Sequence, residues 1–258
     1  MHKIAADDVL TFVGVNKSFG AVTALRDVDF QLGAARIVGL IGDNGAGKTT
    51  LIRLAAGILS PSSGQVFTLG RPATRDDPWL MTRVGAVIKN PGHYEELTVE
   101  ENLRFVYSFY DRTGGSAIAN EIVCTALTKF GLANVARSPV GRLSSGYRQR
   151  LTIARALHPC AHVILLDEPF LSLDPDVRGE VKDLLRKRAS DGDLVVFSSH
   201  TLVDVERLAD EILLLMTGRL RRFQSFAEIR HQVGAGSDED TDIVYTKLKT
   251  RLATSRTE

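Results

Sequence analysis

The sequence predicts an α/β domain, a mixed, partly parallel sheet with an inserted helical lobe, on three observations. Short β-branched runs alternate with helical spacing toward both ends of the 258-residue chain. One such run, residues 37–41, enters a glycine-rich turn that leads into a helical pattern. From about residue 98 to 157 the spacing is mostly helical, which sets the middle apart from its flanks.

In order, residues 9–15 and 28–32 read as strands, then the apolar strand 37–41, a helix over 49–57, and strands over 65–69 and 84–88. Thr98-Val99-Glu100-Glu101 opens the lobe as a capping box, in which hydroxyl and carboxylate satisfy each other's orphan amides. Strands return at 163–166, 194–197 and 212–216. The expected domain is 7–233, with a core at about 7–90 and 160–233 and a helical subdomain at about 91–159. Residues 234–258 carry Asp238-Glu239-Asp240 and few large apolar residues before a weak amphipathic run. They read as a C-terminal tail whose composition leaves disorder open.

Charge and composition exclude several classes. Lys plus Arg (32) nearly balances Asp plus Glu (31), so no nucleic-acid partner is expected. Arg219, Arg221 and Arg222 form a local basic cluster that reads as a solvated strand edge. Cys124 and Cys160 make no disulfide framework and fit a reducing cytosol. His158, Cys160 and His162 do not follow a standard zinc spacing and read as structural. No run of about 18 apolar residues occurs, and the N-terminus lacks a signal-peptide pattern, so any membrane role is expected to run through a partner.

Gly42-Asp43-Asn44-Gly45-Ala46-Gly47-Lys48-Thr49 matches the phosphate-loop pattern, between a strand and a helix as that pattern requires. Glycines allow the tight turn that points backbone N–H groups at phosphate oxygens, and the helix adds its positive end. Gly42, Asn44, Gly45, Ala46, Gly47, Lys48, Thr49 and Thr50 are thus the candidate nucleotide-binding residues, with Lys48 reaching the β- and γ-phosphates. Thr49 and Asp167 are the candidate Mg²⁺ ligands, because Asp167 ends the apolar strand 163–166. Glu168 follows it and would face the opposite side of the pleat, near the γ-phosphate, where it could orient or deprotonate a water.

Leu143-Ser144-Ser145-Gly146-Tyr147-Arg148-Gln149-Arg150, ahead of a helix, resembles the signature motif of ABC ATPases, usually Leu-Ser-Gly-Gly-Gln. Phosphate loop, signature, Asp-Glu strand, Ser172-Leu173-Asp174 and His200 occur in that family's order, and the resemblance covers roughly residues 7–230. It implies the ABC ATPase fold, ATP hydrolysis with Mg²⁺, and a head-to-tail dimer with a second ABC ATPase subunit, as a homodimer or heterodimer. In such a dimer Ser144 and Gly146 of one subunit would complete the γ-phosphate shell of the other. The resemblance further implies that Phe19 stacks on adenine, that Asp174 lies in the loop joining the two sites, and that His200 contacts the γ-phosphate as a switch. It implies an integral membrane permease as partner, and a cytoplasmic, peripheral place on the inner face of the cell membrane. A soluble ABC ATPase acting on nucleic acid or in translation is the rival class; a second ATPase domain, coiled-coil arms and a basic footprint are all missing from the sequence.

Three positions depart from the family pattern. Lys89 stands where the family usually has a Gln that contacts Mg²⁺ and water, and a charged Lys cannot ligate a cation. A different metal and water shell is expected there, with slower hydrolysis or a non-equivalent site in a heterodimer as the consequence. The signature carries Ser145 for Gly and Tyr147 for Gln, and only one phosphate loop is present, so one chain cannot form two composite sites. Residues 90–98 resemble the corresponding segment of type-2 drug and lantibiotic exporters, which implies export.

Overall fold

The structure is a computed structural model that describes residues 8–88, 92–109 and 116–254. The chain begins with strands β1 (Asp8–Phe19), β2 (Val22–Gly33) and β3 (Arg36–Ile41), and helix α1 (Lys48–Ala55). Strands β4 (Ser63–Thr68) and β5 (Arg71–Pro72), the short helix α2 (Pro78–Met81) and strand β6 (Val84–Val87) follow. The helical lobe holds α3 (Val99–Ser108), α4 (Ser116–Lys129) and α5 (Ser145–Ala156). Strand β7 (Val163–Leu166), helix α6 (Pro175–Ser190), strand β8 (Leu194–Ser198) and helix α7 (Leu202–Leu208) return the chain to the core. It ends with β9 (Glu211–Met216), β10 (Arg219–Phe223), α8 (Phe226–Val233) and α9 (Thr241–Thr254).

The strands sort into two sheets. An antiparallel one has the order β2-β1-β4-β5, and a six-stranded one has the order β10-β9-β3-β8-β7-β6, parallel except for β10. Side chains of the parallel strands alternate between two cores, as a period of two demands. Ile37, Ile41, Ile164, Leu166, Val195 and Phe197 face the helical lobe, α6 and α7. Val38, Leu40, Val163, Leu165, Leu194 and Val196 face α1 and the antiparallel sheet. Strands buried on both faces explain the unbroken apolar runs in the sequence.

Strand order places the site. Because β8 lies between β3 and β7, the segments that follow Ile41, Leu166 and Ser198 emerge side by side at the carboxyl edge. In open parallel sheets that edge is where ligands bind. The lobe starts as expected: Thr98 Oγ1 accepts from Glu101 N, and the Glu101 carboxylate accepts from Thr98 N at 2.8 Å.

The C-terminus differs from its sequence reading. Residues 241–254 form α9, with Val244, Leu248 and Leu252 buried in the lobe-side core. Spacing of four residues aligns these three on one helix face, so a few apolar side chains suffice to dock it. Among the described residues no helix is long and apolar enough to cross a membrane.

Candidate functional site

Between β3 and α1 the loop wraps around its own lysine. Lys48 Nζ donates to the carbonyls of Gly42 at 2.7 Å and Asp43 at 3.2 Å, with the side chain almost fully buried. Gly47 takes φ 108°, and a Cβ there would lie 2.6 Å from the Ala24 carbonyl oxygen, so no larger residue fits without a shift. Ala46 packs inward, its N–H donating to Asp43 O at 3.1 Å.

At the end of β7 a connected set of hydrogen bonds joins three strand ends. Thr49 Oγ1 donates to Asp167 Oδ2 at 2.6 Å, and Ser198 Oγ donates to Asp167 Oδ1 at 2.7 Å. Ser198 Oγ also accepts from Glu168 N at 2.9 Å. The Glu168 carboxylate faces His200, with Oε2 at 2.8 Å from Nδ1 and 3.3 Å from the backbone N–H. The sequence reading sent Asp167 and Glu168 to opposite sides of a pleat; the structure corrects this, since both line one cleft. The strand ends at Leu166 and Glu168 adopts φ 51°, so the pleat no longer sets its direction. A non-glycine residue there carries strain of about 1 kcal/mol, which the surrounding hydrogen bonds hold in place.

The cleft has a volume of about 930 Å³. Of the sequence candidates, Phe19, Asn44, Gly45, Gly47, Lys48, Thr49, Thr50, Asp167 and Glu168 line it. Phe19 is half exposed at its edge, with Lys17 Nζ 5.1 Å from the ring centroid. Gly42 and Ala46 sit behind the loop surface, and His200 joins through Glu168. Ser144, Gly146 and Asp174 are not among the lining residues. Ser144 caps α5 by accepting from Tyr147 N at 3.5 Å, Asp174 caps α6 without a side-chain bond, and Gly146 lies against Ser172 O. Lys89 lies outside the described residues, as do Asn90 and Pro91.

The lobe side of the cleft carries residues that sequence reasoning did not single out. Arg155 Nη1 lies 2.9 Å from His93 Nδ1, and His93 Nε2 lies 2.9 Å from Thr152 Oγ1, which donates to Arg148 O at 2.8 Å. Burial, then the charges of Arg155 and Arg148, lower the His93 pKa to about 4, so the ring is neutral at pH 7. With Arg155 as donor to Nδ1, the ring proton sits on Nε2. Arg148 also grips Glu95 at 2.8 Å, and Gln149 Nε2 donates to Pro169 O at 2.8 Å. Ser198 was missed too; its only signal is the polar Ser198-Ser199-His200 that ends an apolar strand.

Residues 25–171 match the family model described as ABC transporter. The lantibiotic transport ATP-binding protein SrtF of Streptococcus pyogenes is 32% identical over 212 residues, 82% of this chain and 89% of that protein. Cassettes named for Nod factor export and for sulfate or thiosulfate import match as well. A solved ATP-binding subunit of an ABC transporter aligns with TM-score 0.84 and 28% identity, covering 93% of this chain and 99% of that one. A dimeric ATP-binding cassette in a post-hydrolysis state with ADP and Pi aligns with TM-score 0.76 and 25% identity, covering 83% of this chain and 98% of that one. With the loop, the carboxylates and the strand order already in place, these likenesses settle the matter: the chain belongs to the ABC transporter family, as an ATP-binding and ATP-hydrolysing cassette.

Proposed function

We propose that this cassette binds MgATP in the cleft, hydrolyses it with Glu168 acting on the attacking water, and drives export through a separate membrane-spanning permease. The observation that carries the catalytic part is the bond set joining Thr49, Asp167, Ser198, Glu168 and His200. It supports this reading because the Thr49 and Asp167 oxygens and the Glu168 carboxylate belong to one bonded set beside the phosphate loop. Thr49 Oγ1 and Asp167 Oδ2 form the all-oxygen donor set that Mg²⁺ prefers, and the ion would neutralise phosphate charge there. Glu168 holds the water and takes its proton; His200, hydrogen-bonded to that carboxylate, keeps it aimed. Lys48 leaves the carbonyls of its own loop to meet the phosphates, and Phe19 offers a ring face to adenine at the cleft edge.

The cassette works as a head-to-tail dimer. Ser144 and Gly146 flank Ser145 at the N-terminus of α5; Ser145 lines their own subunit's cleft and they do not, and from there they can complete the site of a second subunit. The solved ADP-bound relative is itself dimeric. The likeness of residues 90–98 to exporters supports export, with relatives named both for export and for import among those that match, and the permease carries the cassette to the inner face of the membrane. Glu168→Gln is the deciding change. ATP binding is expected to persist while turnover drops at least about a hundredfold; turnover equal to the parent would remove Glu168 from the role. Mild-detergent purification from native cells is expected to recover a polytopic membrane protein with the cassette, and recovery only with ribosomes or nucleic acid would overturn the transport reading.

A further inference from the structure

Asp43, second in the phosphate loop, is held from two directions. Its carbonyl accepts from Ala46 N at 3.1 Å and Lys48 Nζ at 3.2 Å. Its carboxylate accepts from Lys249 Nζ at 3.0 Å, and Lys249 belongs to α9, far along the chain. The same ammonium lies 4.8 Å from the Tyr245 ring centroid. Tyr245 is partly buried against the lobe-side core. Burial first, then the charge of Asp43, push its phenol well above the usual range.

Helix α9 is not a loose arm. Val244 and Leu248 are fully buried, and Arg230 donates to the carbonyls of Gly236 at 2.9 Å and Glu239 at 2.7 Å, tying down the connection that precedes the helix. Arg251 donates to Gln232 O, which fastens the far end to α8. Lys249 is therefore delivered to the loop by a docked element and does not have to find it.

A carboxylate on a loop built to cradle an anion works against that anion. We propose that Lys249 is a further positioning residue of the nucleotide site: from α9 it holds and neutralises the Asp43 carboxylate, so the loop presents donors to the triphosphate without an opposing charge. This rests on the reading that the loop holds ATP. The pair is partly exposed, with Asp43 62% and Lys249 33% accessible, so a modest effect on affinity is expected.

Competition of ATP against a fluorescent ATP analogue, together with steady-state ATPase kinetics on the full chain, tests it. Lys249→Ala is expected to raise Kd and KM for ATP about threefold to fivefold with kcat held, a deficit that shrinks at high salt. Lys249→Arg restores the parent values, and adding Asp43→Asn to Lys249→Ala recovers most of the affinity, because the uncompensated charge is gone. Unchanged KM in Lys249→Ala, a fall in kcat alone, or failure of Asp43→Asn to rescue would each overturn the proposal. Lys48→Ala separates the two levels. If it leaves binding intact, the loop is not the nucleotide site; if it abolishes binding while Lys249→Ala leaves Kd and KM at the parent values, only the role of Lys249 falls.

Discussion

Asp167 accepts from two hydroxyls at once, Thr49 on one oxygen and Ser198 on the other, while Ser198 also takes the backbone N–H of Glu168. Ser198 is 0% exposed, so removing its hydroxyl leaves a buried carboxylate oxygen and an amide without that partner. Ser198→Ala is expected to cost about 1–3 kcal/mol in chemical denaturation and to lower kcat more than it raises KM; an unchanged midpoint would contradict that. Two histidines set a pH response. His93 and His158 are each lowered to about 4, mainly by burial, so between about pH 4 and 6.5 the unfolded chain binds protons that the folded chain does not. Stability then rises with pH across that window and is lost on acidification, by at most about 1.4 kcal/mol per pH unit for each ring. Thermal unfolding followed from pH 7 to 4.5 is expected to show this fall. It should be shallower in His93→Gln, which can still accept from Arg155 and donate to Thr152.

Helices α5 and α9 show how an element can carry more than its local pattern suggests. From one face of α5, Arg148, Thr152 and Arg155 hold residues 93–95, so the lobe grips the segment that leads away from β6. Ser145, Arg148 and Gln149 of the signature line the cleft of their own chain, while Ser144 and Gly146 do not. In α9, Leu248 is fully buried among core residues although its helix has a weak amphipathic pattern. Leu248→Ala is expected to lower global stability by about 2–4 kcal/mol in urea unfolding. A disordered tail would show no change, which makes this substitution a direct check on the helix.

For the whole molecule, Ser144 and Gly146 of the signature are not among the residues that line the phosphate-loop cleft, which points to assembly. Glu168→Gln with MgATP is expected to sediment as a dimer, and as a monomer without nucleotide. Adding Gly146→Asp, which brings a negative charge toward the partner's phosphates, should abolish the dimer while one-site ATP binding remains. A Glu168→Gln protein that stays monomeric at saturating MgATP would contradict the composite site.

The sequence alone determined the phosphate loop, the Asp-Glu pair, the signature and the α/β class, because each depends on residue types at fixed spacing in one short segment. Backbone turns, helix ends and strand periodicity are local physics, and Gly47, Thr98 and the run 163–166 announce them without help from the rest of the chain. Only the tertiary structure decided that the strands divide into two sheets, that β8 separates β3 from β7, and that Ser198 bridges Asp167 to Glu168. It alone seated α9 against Asp43 and turned Glu168 toward His200. These contacts join residues from 30 to 206 positions apart, and their energy comes from burial and hydrogen bonds that exist only once distant segments meet. A local pattern holds no record of such meetings, so a tail of few apolar residues and a serine at a strand end stay silent until the chain is folded.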